Sequence, residues 1–404
     1  MSEPDRRDFL VATTGGAFAF APLLQPWPPR AADPAKLAVV GVGRQGRAIL
    51  GELAKFAQAQ VVAVCDVNEG RMRAGQRRAK DAEGFTSLSE LLAKRADVQA
   101  VIVSTSTHQH KVAALEAMSA GKHVYCEAPL CHSVADCKEL ARAARGAKTR
   151  FAVGLQARSN PVYKLARSFA RAGSLDRVVA LRAAWNQKTS WQVGTEADMN
   201  WRLDAAVSTG LPGEVASHQV DVVNWFLNQT PRAVRGSGAV RLWEDGRTIP
   251  DSVELDLDYP DGPPLRFQAS LCSSYEGQYE LFRGSQSTIR MAETFGWMFK
   301  EADAPTQGWE VYASKERFHN DEGITLIADA TKLAAQGKLK EGIGLPNPPL
   351  YYALEDFLKC VLEDKPPAAS AEDGLRAAVI GIQAHAAVTS GKEQALSEDL
   401  FRLE

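Results

Sequence analysis

The stretch "KLAVVGVGRQGRAILGELAKFA", residues 36–57, constrains the fold more than any other part of the chain. A short apolar run reads as a buried strand, a Gly-rich turn follows, and apolar residues then recur at helical spacing. Gly41, Gly43 and Gly46 form G-x-G-x-x-G. The first glycine permits the tight turn, the second lets the backbone approach a pyrophosphate, and the third lets helix and strand pack closely. The helix start offers unpaired N–H groups and a positive dipole end to phosphate oxygens. Alone, the motif is weak. Its context strengthens it, because the next apolar run, "AQVVAVCD", ends on Asp66, twenty residues beyond Gly46. A carboxylate there accepts hydrogen bonds from an adenosine ribose and repels the extra phosphate of NADP, so NAD is the expected cofactor. Arg71 and Arg73 lie near enough in sequence to weaken that preference.

Strand and helix patterns keep alternating. A helix is expected over 69–82, a buried strand at "VQAVIVST", a helix over 110–120, and a strand at "KHVYCE". A helix over 134–145 and the strand "RFAVGLQ" follow. This predicts a parallel, doubly wound sheet whose ligands sit beyond the strand C-termini. Its carboxyl edge carries Gly41, Val42, Gly43, Arg44, Gln45, Gly46, Asp66, Ser104, Thr105, Glu127, Ala128, Pro129 and Gln156 as cofactor-facing candidates.

The second half breaks the rhythm. After a helix over 161–171, the runs "DRVVALRAAW", "SVELDLDYP", "LRFQASLC", "YEGQYELFRG" and "STIRMAE" alternate polar and apolar residues between Pro/Gly/Asp turns. That pattern predicts a mostly antiparallel sheet with one solvated face. Helices over 350–363 and 371–389 close the chain. The expected fold class is therefore α/β: a Rossmann dinucleotide-binding domain over 36–156 and an open-sheet α/β domain for substrate and oligomerisation over 157–404. The aromatic stretch 296–314 interrupts the strand pattern and reads as an arm, a lid or an oligomer contact.

At 404 residues two domains are the natural expectation. A net charge of −2 with mixed signs argues against nucleic acid and anionic lipid as partners. Six scattered cysteines do not make a disulfide framework and read as small buried hydrophobes, with a single bridge left open. Residues 1–35 stand apart. Arg6-Arg7, then Phe9-Leu10 and an apolar run ending at Leu24, resemble a twin-arginine export signal, so a periplasmic or otherwise exported protein is expected.

Several ordered motifs together resemble the Gfo/Idh/MocA family of sugar oxidoreductases. "VSTSTHQHKVAALEAMSAGKHVYCEAP" is similar to the family's fourth-strand loop with its histidine and its Glu-Lys-Pro turn. "NWRLDAAVSTGLPGEVASHQVDVVNWFL" is similar to its Trp-Arg stretch and Asp-x-x-x-His helix, and "SAEDGLRAAVIGIQAHAAVTSGK" to its C-terminal helix. The resemblance implies a secondary-hydroxyl oxidation with NAD, His218 as principal acid/base, Glu214 orienting its imidazole, and His110 as the loop histidine at the cofactor. Two departures stand out. The lysine of Glu-Lys-Pro is Ala128, and the family aspartate is Glu214. Lys188 is a candidate replacement ammonium, and Arg158, Trp201, Arg202 and Tyr275 are candidates to line a sugar pocket. His108 and His110 form H-x-H without further ligands at metal spacing, so no metal is expected.

Export through the twin-arginine machinery adds a constraint, since no obvious NAD/NADH pool exists outside the cytoplasm. Such an enzyme would hold NAD tightly and restore it in every turnover. The family offers two such schemes: glucose–fructose oxidoreductases, and NAD-dependent glycosidases that oxidise, eliminate, hydrate and reduce. The competing expectation is a sugar- or nucleotide-binding relic that lost catalysis with its lysine. A homo-oligomer is expected.

Overall fold

The computed structural model describes residues 33–194, 197–305, 314–318, 321–327, 336 and 343–403. The export-signal expectation at residues 1–32 and the middle of the aromatic stretch, 306–313, lie outside the described residues.

The first sheet holds β1 (Ala35–Val40), β2 (Ala59–Cys65), β3 (Glu83–Phe85), β4 (Ala100–Val103), β5 (His123–Cys126) and β6 (Phe151–Val153) in the order β3-β2-β1-β4-β5-β6, with every pairing parallel. Helices α1 (Arg44–Leu53), α2 (Glu69–Arg78), α3 (Leu88–Lys94), α4 (His110–Ser119) and α5 (Val134–Gly146) make the crossovers. This strand order is that of the doubly wound dinucleotide fold. The helix expected over 69–82 stops at Arg78, because residues 83–85 add the edge strand β3. Neither that three-residue strand nor α3, capped by the Ser87 hydroxyl, carries enough period to stand out in the sequence.

Helix α6 (Pro161–Arg171) leads into a ten-stranded sheet. Its strands are β7 (Val178–Asn186), β8 (Ala233–Ala239), β9 (Ser252–Asp258), β10 (Leu265–Ser270), β11 (Gln278–Gly284), β12 (Ser287–Ala292), β13 (Phe295–Lys300), β14 (Ser314–Phe318), β15 (Asp321–Thr325) and β16 (Gln394–Ala395). β7 and β10 pair in parallel and the other pairings are antiparallel. Alternation along β9 and β10 puts Val253, Leu255, Leu257, Leu265, Phe267 and Ala269 into the core and polar residues outward. Part of the aromatic stretch is thus regular structure: residues 295–300 extend the sheet rather than interrupt it.

A π-helical turn, Pro212–Ala216, runs directly into α7 (Ser217–Leu227). The closing helices are α8 (Pro349–Glu363) and α9 (Ala371–Ser390). α8 returns to the first domain, where Leu350, Leu354 and Phe357 pack with Leu37, Val39 and Ile49. α9 spans both: Leu375 and Val379 join the Val153–Leu140 core, while Ile380, Ala384 and Ala387 join the core of the large sheet. The expected boundary at residue 157 divides the chain, while helices α8 and α9 from beyond it also pack into the first domain. The second domain's tail is a structural part of the first, because apolar faces seek a partner regardless of chain order.

Candidate active site

The Gly-rich loop is shaped for a dinucleotide. Gly41 has φ +83°, and a Cβ there would lie 2.6 Å from the Ser104 carbonyl oxygen. A Cβ on Gly46 would lie 2.0 Å from the Gly41 carbonyl oxygen, so both are glycines for packing. Gly43 differs: a Cβ there would meet nothing within 4 Å, which leaves the backbone open to a pyrophosphate. α1 starts with no side-chain cap and no acidic residue in its first turn, so its N–H groups remain available to an anion. The residues present fit the cofactor.

Neighbouring side chains fasten this loop. The Ser104 hydroxyl donates to the Gly41 carbonyl at 2.6 Å, and the Val42 N–H donates to Asp66 Oδ2 at 3.0 Å. Asp66 Oδ1 accepts from the Asn68 N–H at 2.9 Å and from Arg71 Nε at 3.0 Å. Gln45 Nε2 donates to Glu127 Oε1 at 3.0 Å, which ties the loop to the end of β5. Burial pushes the Glu127 carboxyl up to about 7, against the pull of Gln45 and the Ala128 backbone.

Across the domain junction lies a cavity of about 210 Å³, lined by Gln156 of the first domain and by His218, Gln219, Asp221, Tyr163 and Glu280 of the second, among others. Burial lowers His218 to about 4, opposed by a hydrogen bond with the Ala128 backbone. The imidazole is therefore neutral near pH 7, in the form that accepts a proton. Glu280 Oε2 accepts from the Tyr163 hydroxyl at 2.7 Å, and burial pushes this carboxyl up to about 8.

Two family models cover most of the described chain. Residues 35–155 match the Gfo/Idh/MocA oxidoreductase family's NAD-binding Rossmann fold, and residues 163–290 match its C-terminal domain. The chain belongs to the Gfo/Idh/MocA family of oxidoreductases. An inositol 2-dehydrogenase of Salmonella typhimurium is 27% identical over 204 residues, 50% of this chain and 56% of that protein, so the match spans little more than half of the relative's length. A 2,7-anhydro-N-acetylneuraminate hydratase of Mediterraneibacter gnavus is 25% identical over 321 residues, 78% of this chain and 81% of that one. Levoglucosan dehydrogenase in complex with NADH and levoglucosan superposes with a TM-score of 0.72 at 18% identity, covering 90% of this chain and 100% of that one, a likeness of fold.

Several residues expected at a Gfo/Idh/MocA site are placed differently by the structure. Glu214 does not orient His218: its Oε1 accepts from the Thr107 hydroxyl at 2.9 Å and its Oε2 from Arg202 Nε at 3.0 Å. Arg202 is thereby engaged with Glu214 and lies 4.4 Å from the Trp201 ring centroid, while Trp201 meets His108 edge-on. Glu214 lines the cavity, whereas Arg202, Trp201 and His108 close the domain junction outside the cavity wall. Arg158 is likewise occupied, gripping Asp221 through two 2.8 Å hydrogen bonds and Asp373 at 3.2 Å.

Lys188 is exposed, outside the cavity lining, because the chain has left the β7 ladder at Asn186. Tyr275 is 81% exposed in the turn before β11. His110 is buried, with Nδ1 3.0 Å from the Pro129 carbonyl and Nε2 3.1 Å from that of Thr105; it braces the cofactor-edge loops instead of facing a ligand. Thr105 is half-buried beside it, and Arg44 is exposed at the start of α1.

Sequence reasoning missed Tyr163, Gln219 and Glu280. Glu280 did leave a signal: it shares a strand face with Phe282, which is fully buried, so alternation puts a carboxyl on the apolar side of β11.

Proposed function

We propose that this protein is an NAD-dependent oxidoreductase that acts on a secondary hydroxyl of a sugar or glycoside, with tightly held NAD restored in each turnover. The observation that carries the reading is His218: neutral, set against the backbone of the Glu-Ala-Pro turn, and lining a cavity shared by both domains. Bound nicotinamide would supply the hydride acceptor. His218 takes the hydroxyl proton as the C–H bond gives up its hydride, and the carbinol becomes a ketone. NAD rather than NADP remains the expectation from Asp66, although Arg71 beside it softens the repulsion of a ribose phosphate.

Ala128 favours a redox-neutral variant of this reading. His218 stands where Ala128 offers only backbone, and no lysine or arginine lines the cavity among the described residues. A cycle of oxidation, elimination beside the ketone, water addition and reduction would use His218 twice, first as base and then as acid. Kinship with a protein named a hydratase supports this direction. Export by the twin-arginine route and homo-oligomer formation belong to the same proposal.

The test is to purify the protein, measure co-purifying NAD, and assay a panel of sugars and chromogenic glycosides without added cofactor. Co-purifying NAD with NADH formation or aglycone release is expected. A protein that neither retains nor binds NAD refutes the reading.

A further inference from the structure

Moving a hydride to or from a hydroxyl-bearing carbon needs one acid/base group, and His218 fills that role. The cavity wall carries a second set on a different element. β11 pairs antiparallel with β12 and sets Glu280 opposite Met291. Glu293, two residues beyond Met291, is therefore the diagonal neighbour of Glu280 and lies on the same face. Gln278, two residues before Glu280, shares that face, and all three side chains line the cavity.

The two carboxyl groups are held differently. Glu280 is 5% exposed, and its Oε2 accepts from the Tyr163 hydroxyl at 2.7 Å. Its Oε1 has no donor among the described residues and is not one of the side-chain atoms sealed from solvent, so it is open to the cavity. Burial keeps the proton on this carboxyl at neutral pH. Glu293 is exposed, where water supports a carboxylate, and its Oε1 accepts from Gln278 Nε2. Its backbone is pinned. It has φ +52° in the turn between β12 and β13, and its carbonyl accepts from Nδ2 of the buried Asn160 at 2.6 Å. A non-glycine residue stays in that conformation only where its surroundings hold it. One wall thus presents a carboxyl that carries a proton beside one that can take a proton, the division that acid and base work requires.

Elimination beside a ketone needs both at once, a base for the C–H and an acid for the departing oxygen. We propose that Glu293 and Glu280 are the base and the acid of elimination and water addition, leaving His218 to the hydroxyl that is oxidised and reduced. The proposal rests on the redox-neutral reading. Once the ketone stands, the Glu293 carboxylate takes the proton from the carbon next to the carbonyl. The electron pair of that C–H bond forms a C=C bond, and the C–O bond to the aglycone breaks as Glu280 protonates the departing oxygen. Water addition runs the same steps backwards. The water oxygen bonds to the carbon that lost the aglycone, Glu280 recovers a proton from that water, and Glu293 returns its proton to the neighbouring carbon. Both carboxyl groups end as they began, with one water consumed.

Substrates that already carry the ketone test these steps apart from oxidation. The probes are methyl and 4-nitrophenyl 3-keto-D-glucosides, both anomers, given to the NAD-loaded protein in ordinary and heavy water. Wild type should release aglycone from at least one anomer and exchange the hydrogen at C2 with solvent. Glu293→Gln should slow both the exchange and the release of either aglycone by roughly 10²–10⁴-fold. Glu280→Gln should slow release of methanol by a similar factor but release of 4-nitrophenol by less than about tenfold, because nitrophenolate departs without a proton. A loss of packing alone would slow both aglycones equally. Equal slowing in Glu280→Gln, or unchanged exchange in Glu293→Gln, overturns the proposal, while cleavage by the wild type keeps the redox-neutral reading. A wild type that forms NADH from sugars yet leaves every keto glycoside intact overturns both and keeps only the oxidoreductase. Should either variant fail to fold, the other decides alone.

Discussion

His218 and Glu280 face one cavity, and burial moves them in opposite directions, the imidazole down to about 4 and the carboxyl up to about 8. Both are uncharged at neutral pH for the same reason, the cost of an isolated charge away from water. Replacing His218 with alanine should reduce turnover by roughly 10²–10⁴-fold while leaving NAD bound, as steady-state rates and cofactor titration would show. Ala128→Lys separates the two catalytic readings. A redox-neutral enzyme should gain no alcohol oxidation from that ammonium, whereas a dehydrogenase lacking its lysine should gain NADH formation, with no aglycone released by either form. Glu280 also predicts a pH effect on stability. Its folded value lies above the ordinary carboxylate value of 4.5, so its stabilising protonation is complete below that pH and is lost as pH rises through about 8. Relative to wild type, Glu280→Gln should therefore become more stable between pH 6.5 and 8, by an amount on the order of 1–2 kcal/mol. Urea unfolding at the two pH values measures this, and a difference independent of pH would contradict it.

At the scale of elements, close contacts between backbones hold the site in place. Gly381 on α9 packs against the π-helical turn so tightly that a Cβ would lie 2.9 Å from Gly213 Cα and 3.0 Å from the Pro212 carbonyl oxygen. Gly381→Ala should push back the turn that leads into His218 and cost about 1–3 kcal/mol, read by thermal unfolding, with a larger fall in turnover than in NAD affinity. The end of β2 makes a second prediction. Asp66 holds the Val42 N–H as well as Arg71, so Asp66→Ala should weaken NAD binding and narrow its advantage over NADP. Equal affinities for the two cofactors in the unaltered protein would remove Asp66 from the selective role.

Across the whole molecule, the site depends on how the domains are joined. Thr107 of the first domain donates to Glu214 of the second, α8 packs beneath the first sheet, and α9 runs through both cores. Residues distant in sequence thus fix the distance between the Gly-rich loop and His218. The proposed export is tested on the whole chain as well. Changing Arg6 and Arg7 to lysine should hold the precursor in the cytoplasm, and cell fractionation showing unchanged export would remove the reason for a self-restoring cofactor.

The sequence by itself determined the Rossmann half, from β1 through the Gly-rich turn to Asp66, because strand period, helix period and glycine chemistry are local. It also put His218 near the Glu-Ala-Pro turn, through ordered motifs, and marked the alternating strands of the large sheet. Tertiary structure alone decided which polar groups were already engaged. Arg158 and Arg202 looked like donors for a sugar until Asp221, Asp373 and Glu214 were found bonded to them. Glu214 reads from sequence as the partner of His218, yet its two oxygens accept from Thr107 and Arg202. Tyr163, Gln219 and Glu280, which come from two helices and a strand, meet only when α6 and α7 pack on the sheet. Hydrogen-bond partnership and burial depend on what arrives from elsewhere in the chain, and no local pattern carries that information.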